Sequence, residues 1–166
     1  MLDCLVGSEM CIRDRSHTLH YGTGVFEGIR ARDSKIGTTI FRLPDHVDRL
    51  FDSAEAYNLK IPFDKEVVTN AIKDSVHLNN LSSAYIRPLV FFGEGEMGLL
   101  PKSVPVYVSV AAWNWGAYLG DDAGNQGVRV CISKWKRISP QSFKPTAKGC
   151  LSYTSDAADD SLGVDR

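Results

Sequence analysis

Leu19-His20-Tyr21-Gly22-Thr23-Gly24-Val25-Phe26-Glu27-Gly28-Ile29-Arg30 is the stretch on which the reading of this chain turns. Three glycines stand among a tyrosine, a phenylalanine and β-branched residues. Glycine weakens a strand, so its repeated use predicts tight bends or the close approach of a ligand or another segment. Taken alone, the run reads as sheet and turn. From it the pattern spreads in both directions. Residues 24–32 and 38–42 predict two strands, and Asp33-Ser34-Lys35-Ile36-Gly37 between them has hairpin-loop chemistry.

Pro44 then suits the first turn of a helix. Val47, Leu50, Phe51, Ala54 and Tyr57 follow at helical spacing, flanked by Asp48, Arg49, Asp52 and Glu55. Pro62 closes that unit. Asp64 is an N-cap candidate for a second helix that buries Val68, Ala71, Ile72 and Val76 and stops at Asn79-Asn80. Residues 84–92 and 105–112 predict strands, and residues 128–132 a shorter one. Between the last two lies the aromatic loop Asn114-Trp115-Gly116-Ala117-Tyr118-Leu119-Gly120. A hairpin, two helices and then more strands predict an α+β fold rather than a doubly wound sheet.

The composition fits one globular domain. The chain has 166 residues, 43% hydrophobic and 23% charged, with a formal net charge of -1. That balance argues against a nucleic-acid partner. No apolar run is long enough for a membrane span. Asp3 and Glu9 interrupt any apolar leader, so a cytoplasmic location is expected.

The two ends read as foreign to the body. Val6-Gly7-Ser8 and Cys11-Ile12-Arg13 can be encoded by DNA whose reverse complement encodes Ala157-Ala158-Asp159 and Ser152-Tyr153-Thr154. Residues 1–15 and 150–166 therefore resemble translated sequencing adapter and are set aside as artefactual. Of the four cysteines only Cys131 then belongs to the body, which excludes a disulfide framework and gives no metal site. Residues 16–149 carry 16 Lys and Arg against 13 Asp and Glu, which is mildly basic.

Several residues are candidates for chemistry. In Ser83-Ala84-Tyr85-Ile86-Arg87-Pro88-Leu89 the period of a strand puts Tyr85 and Arg87 on one face. An arginine among apolar neighbours needs an anion or a route to water, and its fork suits a carboxylate. Arg49, in His46-Val47-Asp48-Arg49-Leu50, reads on propensity alone as a solvated helix residue paired with Asp45 or Asp52. Large aromatics on the 114–120 loop could close an apolar pocket. Lys148, in Lys144-Pro145-Thr146-Ala147-Lys148-Gly149, is by itself one lysine among many.

Together these blocks resemble the bacterial branched-chain amino-acid aminotransferases, which are pyridoxal-phosphate enzymes of fold type IV. The shared motifs are LHYGTxVFEGIR, HxxRL, SAYIRPL, WGAYLG and a proline-led lysine segment. The resemblance covers residues 16–149. It implies a small α+β domain at 16–113, an interdomain loop at 114–127, and the first strand and lysine segment of a large domain at 128–149. It makes Lys148 the catalytic lysine that bonds to the cofactor, and Arg49 the phosphate ligand. Phe26, Tyr85, Arg87 and Tyr118 would face the substrate. Tyr21 and Leu99 would reach the site of a neighbouring subunit, which implies a homo-oligomer. The implied reaction moves an amino group between leucine, isoleucine or valine and 2-oxoglutarate.

The family's asparagine and tyrosine after the lysine are replaced here by Cys150-Leu151-Ser152-Tyr153, and most of the large domain is missing. Activity of this polypeptide by itself is therefore not expected. D-amino-acid aminotransferases and aminodeoxychorismate lyases share the fold but generally lack the combined motif set. A non-catalytic binding domain is the alternative of a different class.

Overall fold

A computed structural model describes residues 15–96, 98–116, 127, 129–132, 134 and 139–150. The element order is α1 (His17–Tyr21), β1 (Gly24–Phe26), β2 (Ile29–Arg32), β3 (Thr39–Ile40), α2 (Leu43–Ala56), α3 (Lys65–His77), β4 (Ala84–Phe92) and β5 (Val106–Trp113). The α+β expectation holds. One antiparallel sheet is built around β4, with β5 along one side and β1 and β2 end to end along the other. β3 lies beyond β2.

The expected strand at 24–32 is present but interrupted. β1 and β2 pair with β4 in one uninterrupted register, Gly24 with Phe91 through Ala31 with Ala84. That register sets Glu27 opposite Pro88. The Glu27 N–H donates to the Pro88 carbonyl at 3.0 Å, but proline has no N–H to return. One rung of the ladder is absent, and the strand breaks at Glu27-Gly28. Gly28 serves a second purpose. A Cβ at this position would collide with the Tyr85 hydroxyl, so the ring can lie across the strand only over a glycine.

Side chains alternate along the sheet as a period of two requires. Val25, Glu27, Ile29 and Ala31 face the helices, together with Ile86 and Val90. Leu43, Val47, Leu50 and Ala54 of α2 and Val68, Ile72 and Val76 of α3 complete that core. The opposite face carries Phe26, Tyr85, Arg87, Leu89 and Phe91, with Tyr107 and Trp113 from β5 directly across from Phe91 and Tyr85. This face has no helix layer among the described elements.

Both long helices begin near where the pattern placed them. Asp64 caps α3, its carboxylate accepting from the Val67 N–H at 2.9 Å. Ala71, expected in the core, is exposed, because it lies on the outer edge of the α3 stripe that buries Val68, Ile72 and Val76. The predicted 38–42 strand shrinks to Thr39–Ile40, since Phe41-Arg42 turn directly into α2, with Arg42 left-handed at φ 49°. α1, of five residues, is too short to show a helical stripe in the sequence. The predicted 128–132 strand is not formed among its described residues. Val130 and Ile132 are exposed, and no described strand pairs with them. No described helix is long and apolar enough to cross a membrane.

Candidate active site

The site forms where the far end of the described chain returns to β1. The Phe26 N–H donates to the Lys148 carbonyl at 3.1 Å, and Val25 and Gly149 form an antiparallel bridge. The Lys148 N–H donates to the Ser53 hydroxyl at 2.9 Å, a contact between residues 95 positions apart. Ser53 is fully buried on α2, one helical turn beyond Arg49. The lysine is thus fixed by the same strand and helix that carry Phe26 and Arg49. A Cβ at Gly149 would collide with the Tyr57 hydroxyl, so this docking requires glycine.

Two cations converge on Phe26. Lys148 Nζ lies 4.9 Å from its ring centroid and the Arg87 guanidinium carbon 4.6 Å from it. Cation–π contact of this kind holds charge against an apolar wall. Arg87 also donates through Nη2 to the Tyr85 hydroxyl at 2.8 Å. Its Nε is buried and has no hydrogen-bond partner among the described residues. A buried donor left unmade is costly, and a ligand anion beside it would recover that cost. Tyr85 packs against Trp113 and Trp115 at 5.1 and 4.5 Å between centroids, giving the site an aromatic wall. Cys150 is half-buried within electrostatic reach of Arg87. Burial pushes its thiol up, and Arg87 opposes that shift.

Arg49 is not paired with Asp45 or Asp52, as local spacing suggested. Asp45 meets Arg42 at 3.0 Å. Arg49 reaches instead to Glu27, with Nε to Oε1 at 2.5 Å and Nη2 to Oε2 at 2.6 Å. His46 Nδ1 donates to the same Oε2 at 2.9 Å. The Glu27 side chain is fully buried, whereas that of Arg49 is 48% exposed. Burial alone would raise the Glu27 pKa, but hydrogen bonds from His46 and Arg49 outweigh it, and the carboxyl titrates below its ordinary range.

A depressed folded-state pKa contributes stability that is present above the unfolded value and lost as pH falls through the folded one. Urea midpoints measured from neutral to acid pH should therefore decline below the ordinary glutamate value of 4.5. Glu27→Gln should flatten part of that acid limb. An unchanged limb in the variant would show that Glu27 does not titrate with folding.

The remaining candidates lie elsewhere. Tyr21, on α1, stacks on His17 at 4.5 Å. His17 is buried and its Nε2 donates to the Gly98 carbonyl at 3.0 Å, fixing the loop that exposes Leu99, which is 86% accessible. α1 is tied to Phe92, five residues along β4 from Arg87 or about 17 Å, and to Gly93 just beyond the strand. Tyr21 and the loop carrying Leu99 thus share one corner, joined through His17. Tyr118 lies outside the described residues.

Residues 24–161 match the model of the family described as amino-transferase class IV. The chain belongs to the class IV aminotransferases. This class IV chain is 52% identical over 122 residues to the branched-chain-amino-acid aminotransferase of Pseudomonas aeruginosa, covering 74% of the chain and 40% of that protein. It is 44% identical over 141 residues to the enzyme of the same name from Escherichia coli K12, covering 84% and 46%. The crystal structure of the Escherichia coli branched-chain amino acid aminotransferase superposes with a TM-score of 0.81 at 43% identity, over 86% of this chain and 47% of that one. The T.th. branched-chain amino acid aminotransferase with pyridoxamine 5'-phosphate gives 0.79 at 42% identity, covering 90% and 51%. This aminotransferase chain spans about half the length of the relatives it matches.

Three residues that hold the candidates in place carry no role in the sequence reading: Glu27, His46 and Ser53. Glu27 did leave a signal. It is a carboxylate at a core-facing position of the strand, between Val25 and Ile29, and such a group needs a partner. Ser53 left none, because its importance lies in a backbone donor far away in sequence.

Proposed function

We propose that this chain is the N-terminal half of a pyridoxal-phosphate-dependent branched-chain amino-acid aminotransferase. The observation that carries the reading is the convergence of Lys148 and Arg87 on Phe26, with a buried Arg87 donor awaiting an anion. A primary amine, a forked cation and an apolar wall are what an amino acid with an aliphatic side chain requires. The residues suit the cofactor as well: Arg49 offers a fork for phosphate and Lys148 an amine for its aldehyde. Bound pyridoxal phosphate supplies an electron-poor ring that delocalises charge left on the substrate Cα.

The chain's own residues divide the remaining tasks. Lys148 Nζ holds the cofactor and then carries the proton at the substrate Cα. Arg87, steadied by Tyr85, orients the acid group of the 2-oxo co-substrate. Phe26 with the Trp113 and Trp115 wall excludes water and receives the branched side chain. In the complete enzyme Tyr118 would add to that lining. Copies of the enzyme associate, with Tyr21 and Leu99 serving the neighbouring site. The exposure of Leu99, on a loop that His17 joins to Tyr21, supports that division. A reaction on free amino acids supports action in the cytoplasm.

Visible absorbance of a complete enzyme carrying this half, mixed with pyridoxal phosphate, tests the reading. Addition of L-leucine, L-isoleucine or L-valine is expected to deplete the band formed at Lys148, while D-alanine leaves it unchanged. A response to D-alanine alone would favour a D-amino-acid aminotransferase. No band at all would favour a binding domain without this chemistry.

A further inference from the structure

We infer that Glu27 is a positioning residue for Arg49: it sets the guanidinium for a phosphate without touching the ligand. The inference deepens the reading of Arg49 as the phosphate anchor and rests on it. Glu27 stands at the break in the sheet opposite Pro88 and points to the helix side, where α2 brings His46 and Arg49 within reach. These two are the charged or titratable groups that bear on it. One carboxylate oxygen accepts from Arg49 Nε, the other from Arg49 Nη2 and His46 Nδ1.

A two-point grip fixes the plane of the guanidinium, which a single contact would not. It occupies the Nε–Nη2 edge and directs the Nη1 side away from the carboxylate. Arg49 is long and half-exposed, and ungripped it would have to surrender rotamer freedom on meeting a phosphate. Glu27 has already imposed that order. His46 in turn holds Oε2, so the carboxylate cannot swing with its partner.

The probes are pyridoxal 5'-phosphate and pyridoxal, which differ only in the phosphate. Each is titrated into the full 166-residue chain, following the visible absorbance that Lys148→Ala removes. The ratio of the two apparent affinities is the phosphate preference. Arg49→Ala is expected to abolish it. Glu27→Ala and Glu27→Asp are expected to reduce it about tenfold, equivalent to about 1.4 kcal/mol, with affinity for pyridoxal unchanged. Asp keeps the charge but loses reach, so it separates positioning from charge balance. Glu27→Asp added to Arg49→Ala should change nothing further.

If Glu27→Asp keeps the full preference while Arg49→Ala loses it, the inference is overturned and the anchor reading stands. Equal weakening of both probes in Glu27→Asp would mark a merely structural role and would also overturn it. If the unsubstituted chain shows no preference, or Arg49→Ala retains one, the anchor reading fails and the inference with it. Glu27→Asp carries the test if circular dichroism shows that Glu27→Ala does not fold.

Discussion

Lys148→Ala will leave the chain unable to hold pyridoxal phosphate covalently. Alanine has neither the amine that bonds to the aldehyde nor a group to carry a proton. The backbone hydrogen bonds to Phe26 and Ser53 do not involve the side chain, so the segment should still dock. Borohydride reduction followed by peptide mass spectrometry should find the cofactor on the 148 peptide of the unsubstituted chain and not on that of the variant. In a complete enzyme, turnover should fall by at least a hundredfold to about ten-thousandfold, the usual scale for loss of a positioned acid–base group. Equal labelling of Lys134 or Lys144 in the unsubstituted chain would remove Lys148 from its assigned role.

Leu50→Ala should cost about 2–5 kcal/mol of folding stability. Leu50 is fully buried on α2, between the helix positions that supply Arg49 and Ser53. Truncation removes contacts and leaves a cavity that the sheet beneath cannot collapse to fill. The loss should appear as a lower urea midpoint with little change in slope. Because α2 carries both the arginine proposed to meet the phosphate and the serine that docks Lys148, cofactor uptake should weaken along with stability. A loss under about 1 kcal/mol would mean that α2 is not seated on the sheet as described.

The elements that sequence reasoning located are those with a local signature. α2 and α3 show apolar residues at helical spacing, and β4 is a largely apolar run of nine residues. The features it missed depend on partners far along the chain. That Pro88 breaks the strand at Glu27 is visible only once the register of β4 is known. Arg49 has acidic neighbours at helical spacing, yet its carboxylate comes from 22 positions earlier. Ala71 falls beside the apolar stripe of α3 yet is exposed, outside the Val68, Ile72 and Val76 stripe that is buried. For the site, the motif residues Phe26, Tyr85, Arg87 and Lys148 were legible and do come together. Their supporting groups Glu27, His46 and Ser53 were not, since nothing in their own neighbourhoods needed explaining except the buried charge of Glu27.

The Lys148 segment closes a long loop: its amide meets Ser53 from 95 positions away, and its carbonyl meets the Phe26 amide near the beginning of the described chain. Such contacts form late, because the entropy of bringing distant residues together is spent before they return anything. The sheet and its two helices can therefore consolidate while the lysine is still undocked. Amide protons of Phe26 and Lys148 should exchange with solvent sooner than those of Ile86 or Leu50, and cofactor capture becomes the final act of folding rather than its template.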